Sequence, residues 1–257
     1  MLAQPVYNSG IDLAWPFKVR FHPTILLLFT LLIGLYGCSG QEIQRKDGLK
    51  SVRTFNSANL AKSDIDMMAE LNQEAVIKSL KLLSDKLYRR NPQEFRKSGL
   101  ESAEAASARI FSQIPNWANA SLPPPDWEAQ FNLAFLEGYT GDRVQAFITA
   151  LTSMLMASYD YKTALFLHDA LSAQKLYNSA RNVEIAVWKL SNAKQSGGSK
   201  FLISNSMDGE IANLSFEREF GKLIALQDLL AVVIEDKSNR SISRVFQNVA
   251  TFIFLPI

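Results

Sequence analysis

An all-α fold is what this sequence predicts: one domain of about six to eight helices, with room for a single small β-hairpin. Three observations lead there. Apolar residues recur at spacings of three and four along most of the chain, and capping residues, prolines and glycines punctuate the segments that carry them. Strand-like apolar triplets flanking a polar turn occur once, near the C-terminal third. The 257 residues contain one cysteine, so no disulfide framework holds the chain and packing must do so. The expected organisation is an N-terminal signal over 1–37, a lipidated N-terminus and tether over 38–63, and the helical domain over 64–257.

The N-terminal elements form an address. Lys18 and Arg20 precede an unbroken apolar run from Ile25 to Leu35, too short to span a bilayer as a finished helix but suited to a secretory signal. Leu35-Tyr36-Gly37-Cys38 closes the run, and it resembles the lipobox of bacterial lipoproteins. The resemblance implies that the Cys38 sulfur receives a diacylglyceryl group, that the chain is cut just before it, and that the new amine is acylated. An uncut signal anchor and a cut elsewhere are the other readings. The polar stretch Gln41 to Lys50 argues against the first, and the absence of an A-x-A pattern after the run argues against the second. One acyl chain holds a protein marginally, whereas several hold it stably. In the enteric lipoproteins an Asp after the cysteine favours retention in the inner membrane; Ser39 stands there instead. The expected location is therefore the periplasmic face of the outer membrane, with the inner membrane second. Met1 to Phe17, with Trp15-Pro16, does not read as the charged start of a signal, which leaves open a translation start downstream at a non-Met codon.

Composition excludes several functions. The formal net charge of +2 is no footprint for nucleic acid. Only His22 and His168 exist, and His22 lies in the signal, so no Cys/His metal cluster can be built. An all-carboxylate site is the alternative left open, but no D-x-D-x-D-G loop occurs, and the expectation is no metal or other cofactor.

After the polar tether, Gln41 to Ser63, the first helix is predicted over Asp64 to Arg90. Met67, Leu71, Ala75, Leu82 and Leu83 form its apolar face, widened by Leu80, Leu87 and Tyr88. Asn91-Pro92 ends it, because the residue before proline is pushed out of the helical region. Lys86, Arg89, Arg90, Arg96 and Lys97 make that end basic, which suits either a helix C-terminus or an anionic partner. An Ala-rich helix follows from Glu101 to Ile114, then an exposed polyproline connector at Ser121 to Pro125. Asp126 caps a helix over Trp127 to Glu137. Asp142, with Gln145 three residues on, caps another from Arg143 to about Tyr159. Val144, Phe147, Ile148, Leu151, Met154 and Leu155 give that helix the strongest periodic signal in the chain, and the two together form an αα-hairpin. The hairpin faintly resembles a tetratricopeptide unit through Gly138-Tyr139, Gly141-Asp142 and Ala146-Phe147, without a second copy at the expected period.

Leu171 to Ala193 is the next long helix, with Leu176, Ala180, Val183, Val187 and Leu190 facing the core. Phe201-Leu202-Ile203 and Glu210-Ile211-Ala212 are the hairpin candidates. Ser215 is expected to cap a helix with Phe216, Phe220, Leu223, Ile224, Leu230 and Val233 buried, broken at Ser238-Asn239. A last helix runs from about Ile242 through Phe252. The apolar end, Phe252 to Ile257, is expected to dock in the core, with lipid or a partner as the alternative.

Candidate functional residues fall into two groups. Asp160, Lys162, His168 and Asp169 are either a site for proton transfer or a helix end and loop with a structural histidine, and His168, Asp160 and Glu184 are the set a hydrolase or lyase would use. Asn178, Arg181, Asn182 and Glu184, joined by Glu217 and Arg218, form either a buried polar network that fixes helix register or a ligand-binding face. Arg218 and Lys222, like charges four apart, require balancing by Glu217 or Glu184.

Three stretches carry a family resemblance: Lys86-Leu87-Tyr88-Arg89-Arg90-Asn91-Pro92, Gln174 to Glu184, and Asn213 to Lys222. With Phe254-Leu255-Pro256-Ile257 they resemble an uncharacterised family of proteobacterial lipoproteins. The resemblance covers most of the chain after Cys38 and implies a compartment, but no reaction or ligand. No nucleophile elbow, phosphate loop, dinucleotide fingerprint or H-E-x-x-H occurs. The leading expectation is a lipid-anchored, non-enzymatic binding or assembly factor that uses a groove between helices and has an envelope protein as its partner. A periplasmic hydrolase or lyase and a helical-repeat adaptor are the alternatives.

Overall fold

The computed structural model describes residues 57–205 and 213–253, with side chains placed through Lys237, and two short strands before them. The chain divides into two compact units, Met1–Asn56 and Ser57–Ile257. In the first, β1 (Ile43–Gln44) pairs antiparallel with β2 (Lys50–Ser51). Cys38 and the expected signal lie outside the described residues, as do the apolar end and the second candidate strand, Glu210 to Ala212.

The second unit is helical. A 3-10 turn, Ser57–Ala61, leads into α1 (Asp64–Arg90), α2 (Pro92–Lys97), α3 (Ala103–Phe111) and α4 (Ile114–Ala118). Next come α5 (Trp127–Ala134), α6 (Arg143–Ser158), α7 (Ala173–Asn192) and α8 (Ser215–Ile253). Residues 57–63, expected to belong to the tether, are part of this body. Lys62 pairs with Glu70 at 2.5 Å, and Ser63 and Asp66 exchange the two hydrogen bonds of a capping box.

The buried face of α1 is rotated from the expected one. Ala69, Val76, Leu80, Leu83, Leu87 and Tyr88 are buried, while Leu71 and Leu82 stand about two-fifths exposed. The inward stripe also contains Asn72 and Gln73, which the apolar pattern could not include. Asn72 donates to the Leu226 carbonyl and Gln73 to that of Lys162, so burial leaves these amides satisfied.

The expected strand at Phe201 to Ile203 does not form. Asn91 at the end of α1 takes both main-chain groups of Ile203: its Oδ1 accepts from the Ile203 N–H and its Nδ2 donates to the Ile203 carbonyl, each at 2.8 Å. The segment is pinned to α1 and cannot pair with a strand; Lys194 and Lys200 make only an isolated bridge. The predicted break at Ser238-Asn239 is also absent, and α8 runs unbroken to Ile253. Ser and Asn are only mildly unfavourable within a helix, and neither Pro nor Gly stands there to stop it. Ser215 lies inside the first turn of α8, and it is Asn213 that accepts its N–H.

Helices α1 and α8 run antiparallel, tied by Lys86 to the Ser215 carbonyl at one end and Lys237 to Asp66 at the other. Packed on this pair, α6 carries the main core with Val144, Phe147, Ile148 and Leu155 almost fully buried. Phe147 joins an aromatic cluster with Phe131, Phe135 and Phe220. Among the described residues no helix is long and apolar enough to cross a membrane.

Candidate binding groove

The α5–α6 hairpin is held by a buried polar knot that turns its sequence into a fixed wall. Asp142 caps α6 by accepting from the Gln145 N–H at 2.8 Å, and its second oxygen accepts from the Tyr88 hydroxyl at 2.9 Å and the Ser98 hydroxyl at 3.2 Å. Arg143, buried, donates to the carbonyls of Ala134, Leu136 and Tyr139, so its guanidinium closes the C-terminal end of α5. Its N–H goes to buried Glu94, which also accepts from Lys97. Burial, with Glu94 nearby, pushes the Asp142 carboxyl above its ordinary range despite these donors. Gly141 lets the Tyr139 ring lie against the backbone: a Cβ there would lie 2.3 Å from the Tyr139 hydroxyl, and the ring would have to move aside.

Against this wall α7 leaves a groove. Its floor is α6, through Ala150, Leu151 and Met154; Trp127 and Phe131 of α5 form one side, Asn182, Ile185 and Ala186 of α7 the other, enclosing about 280 Å³. Trp127, Met154 and Asn182 also border a second hollow of about 430 Å³, which continues along α7 past Ser179 and Asn178 to Lys175 and Asp160. The two make one trough, apolar at the Ile185 end and polar at the Asp160 end. Lys189 sits over the rings of Phe131 and Phe135, 5.0 and 5.1 Å from their centres.

Asp160 and Tyr161, at φ +52° and +58°, turn the chain out of α6 at the polar end. The Tyr161 hydroxyl meets that of Ser153 at 3.1 Å, and Ser153 also donates to the Pro125 carbonyl, fixing the approach of the proline connector.

His168, Asp160 and Glu184 are not brought together, although Asp169 lies beside both Lys162 and His168. His168 is 82% exposed and stacks on Phe166, with Asp169 its near carboxylate at 3.7 Å. Asp169 is already engaged by Lys162 and the Phe166 N–H, and the Lys162 bond, then that from Phe166, hold its carboxyl below the usual range. Asp160 pairs with Lys175 at 2.6 Å. Glu184 pairs with Arg181 at 3.1 Å. The three thus sit on three separate sets of partners.

The expected polar network on α7 is likewise divided. Asn178 and Glu184 are exposed, and Arg181 and Asn182 half-buried, so none of the four is an interior group. Arg181 bridges to Asp228 on α8 at 2.6 Å and lies over the Tyr177 ring, tying the two helices together. Asn178 and Asn182 face the trough instead. Glu217 accepts from Asn205, Arg218 is exposed, and Glu219 pairs with Lys222, so neither Glu217 nor Glu184 balances that cation. The basic end of α1 is used within the fold: Arg89 pairs with Asp85 and Glu104, and Arg90 donates to the Asn205 carbonyl.

The trough residues that sequence reasoning missed are Trp127, Phe131, Met154 and Ile185. The signal that could have found Ile185 is its place outside the apolar stripe of α7, where it is 57% exposed beside Trp188 at 68%. No group of three His, Cys, Asp or Glu side chains among the described residues could hold a metal ion. After α6, helices α7 and α8 pack antiparallel across a long connection, 193–214, not the short turn of a repeated helical hairpin. No protein-family model, curated protein or solved structure matches the chain.

Proposed function

We infer that this chain is a lipid-anchored protein of the bacterial envelope, attached through Cys38 at the periplasmic face of the outer membrane, whose helical domain works by binding. The anchor rests on the sequence: a cationic lead, an apolar run, and the sole cysteine of the chain directly after Leu35-Tyr36-Gly37. That arrangement carries the resemblance to the lipobox of bacterial lipoproteins. The binding role rests on the trough between the α5–α6 hairpin and α7, a preformed concavity with an apolar floor and a few convergent polar groups.

Labelling cells with radioactive palmitate tests the anchor. The wild-type chain takes up label and pellets with membranes, and Cys38→Ser abolishes the label and releases or retains an uncleaved precursor. Equal membrane pelleting of both forms, unlabelled and uncleaved, overturns the assignment. A photocrosslinking residue at Ile185 tests the binding role: one discrete adduct in intact cells supports it, and the same adduct from a crosslinker at exposed Leu60, on the 3-10 turn, removes the trough as its site.

A further inference from the structure

We propose that the trough holds an extended apolar peptide of about five residues, with the side chains of Asn178 and Asn182 reading its main chain. This deepens the binding role above by naming the class of ligand. The α7 border of the trough runs from Lys175 to Ala186, roughly 16 Å at 1.5 Å per residue, the reach of such a peptide.

The two asparagines carry the argument. They are four residues apart on α7, which places them about 6 Å apart along the helix axis. An extended strand repeats every second residue, at roughly 6.6 Å. Two amides on that spacing meet the N–H and C=O of alternate residues on one edge of the strand. Their hydrogen-bonding capacity is left over from folding. Asn182 makes no side-chain hydrogen bond among the described residues, although it is half-buried in the trough wall. Asn178 accepts from Gln174 at 2.7 Å, which fixes the orientation of its amide and leaves the nitrogen to donate. Elsewhere in the domain, the buried amides of Asn72, Gln73 and Asn91 each bond a main-chain group of another segment. The same recognition of main-chain groups by an amide side chain is therefore already used inside this fold.

The opposite wall supplies what alternate side chains of a strand require. Trp127 and Phe131 on the α5 side and Met154 on the floor offer apolar surface, with Ile185 beside Asn182 on the α7 side. Successive residues of an extended peptide point to opposite sides, so one set enters this surface while the other faces solvent. The Asp160–Lys175 pair closes the polar end with both charges neutralised, which suits an internal segment of a chain better than a charged terminus. An acyl chain would fit the apolar floor, but it has nothing to satisfy two amides that it would strip of water.

The test uses the full-length protein in lipid nanodiscs, with empty nanodiscs as the blank, and a fluorescent blocked pentapeptide of alternating leucine and threonine. Fluorescence anisotropy should show saturable binding. Asn182→Leu and, separately, Asn178→Leu should each weaken it about threefold to tenfold, the effect of a lost hydrogen bond. Replacing the peptide's central amide by an ester should cost a similar factor in wild type and nothing further in the Asn182→Leu protein. Unchanged thermal unfolding of both variants separates lost recognition from lost folding. No saturable binding overturns the proposal, as does equal binding by wild type and both variants. Displacement of the peptide by dodecanoate that tightens in Asn182→Leu also overturns it and makes the trough an acyl site. A discrete crosslink at Ile185 with no peptide binding here would remove the extended-peptide ligand and leave the binding role standing.

Discussion

The knot around Asp142 and the trough along α7 share a wall, the α5–α6 hairpin, yet they treat polar groups in opposite ways. In the knot, Tyr88, Glu94, Asp142 and Arg143 are all buried and each has partners from a distant segment. In the trough, Asn182 has none among the described residues, and Ile185 and its neighbour Trp188 stand in water. A buried polar group without partners costs about 1–3 kcal/mol, so the knot must be complete for the fold to stand. An exposed amide is satisfied by water until something displaces that water. The contrast separates groups that hold the scaffold from groups available to a ligand.

The sharpest way to break the comparison is Arg143→Met. It keeps bulk but orphans the three carbonyls at the end of α5 and removes the Arg143 ring contacts with Tyr139 and Phe201. We expect a loss of about 3–5 kcal/mol in urea unfolding, and a loss under about 1 kcal/mol would show that the knot is not what fixes the hairpin.

Tyr88→Phe comes next, removing one donor to Asp142 without changing shape. The expected cost is about 1–3 kcal/mol by the same measurement. It also exposes the sign of the pH response. Asp142 is held above its ordinary value of 3.8, so the stability tied to it falls as pH rises from 3.8 through the folded value. Loss of the Tyr88 hydrogen bond should raise that value further and widen the window of decline.

Asp66 has the reverse sign. Burial alone would raise its carboxyl, but hydrogen bonds from Lys237 and Ser63 outweigh it and hold the group below 3.8. Its contribution is complete above 3.8 and is lost as pH falls through the folded value. Asp66→Asn should cost about 0.5–2 kcal/mol at neutral pH and flatten the acid limb of a stability profile measured by circular dichroism. An unchanged acid limb would mean that Asp169 and other carboxylates carry that slope.

The smallest effect on stability belongs to the trough. Ile185→Ser, at a position 57% exposed, should stay within about 0.5 kcal/mol of wild type in thermal unfolding while removing the partner adduct seen from neighbouring crosslinker sites. A destabilisation of knot size would make this face structural and erase the distinction.

Much of the helical pattern was legible because local chemistry dictates it. Asn91-Pro92 ends α1, Asp126 and Asp142 cap α5 and α6, and the α6 stripe from Val144 to Leu155 is buried as its spacing requires. Errors arose where a distant partner overrode a local preference. Asn91 takes the main-chain groups of Ile203 and cancels a strand. Asn72 and Gln73 are drawn inward by carbonyls 154 and 89 residues away, turning the face of α1. Nothing near Ser238 told whether a mildly unfavourable pair would end a helix as long as α8.

Of the candidate sites, the sequence by itself determined the inventory: one cysteine placed after an apolar run, one histidine beyond it, and amides on an amphipathic helix. These are properties of composition and spacing, which survive without knowing any contact. Only the tertiary structure decided which polar groups the fold consumes. It sent Arg181 to Asp228, Asp160 to Lys175 and His168 into solvent, and it left Asn178 and Asn182 facing a trough. The physical reason is that hydrogen bonds and ion pairs are pairwise and long in sequence. A residue's type states what it can bond, and only its neighbours in space determine whether that capacity is spent.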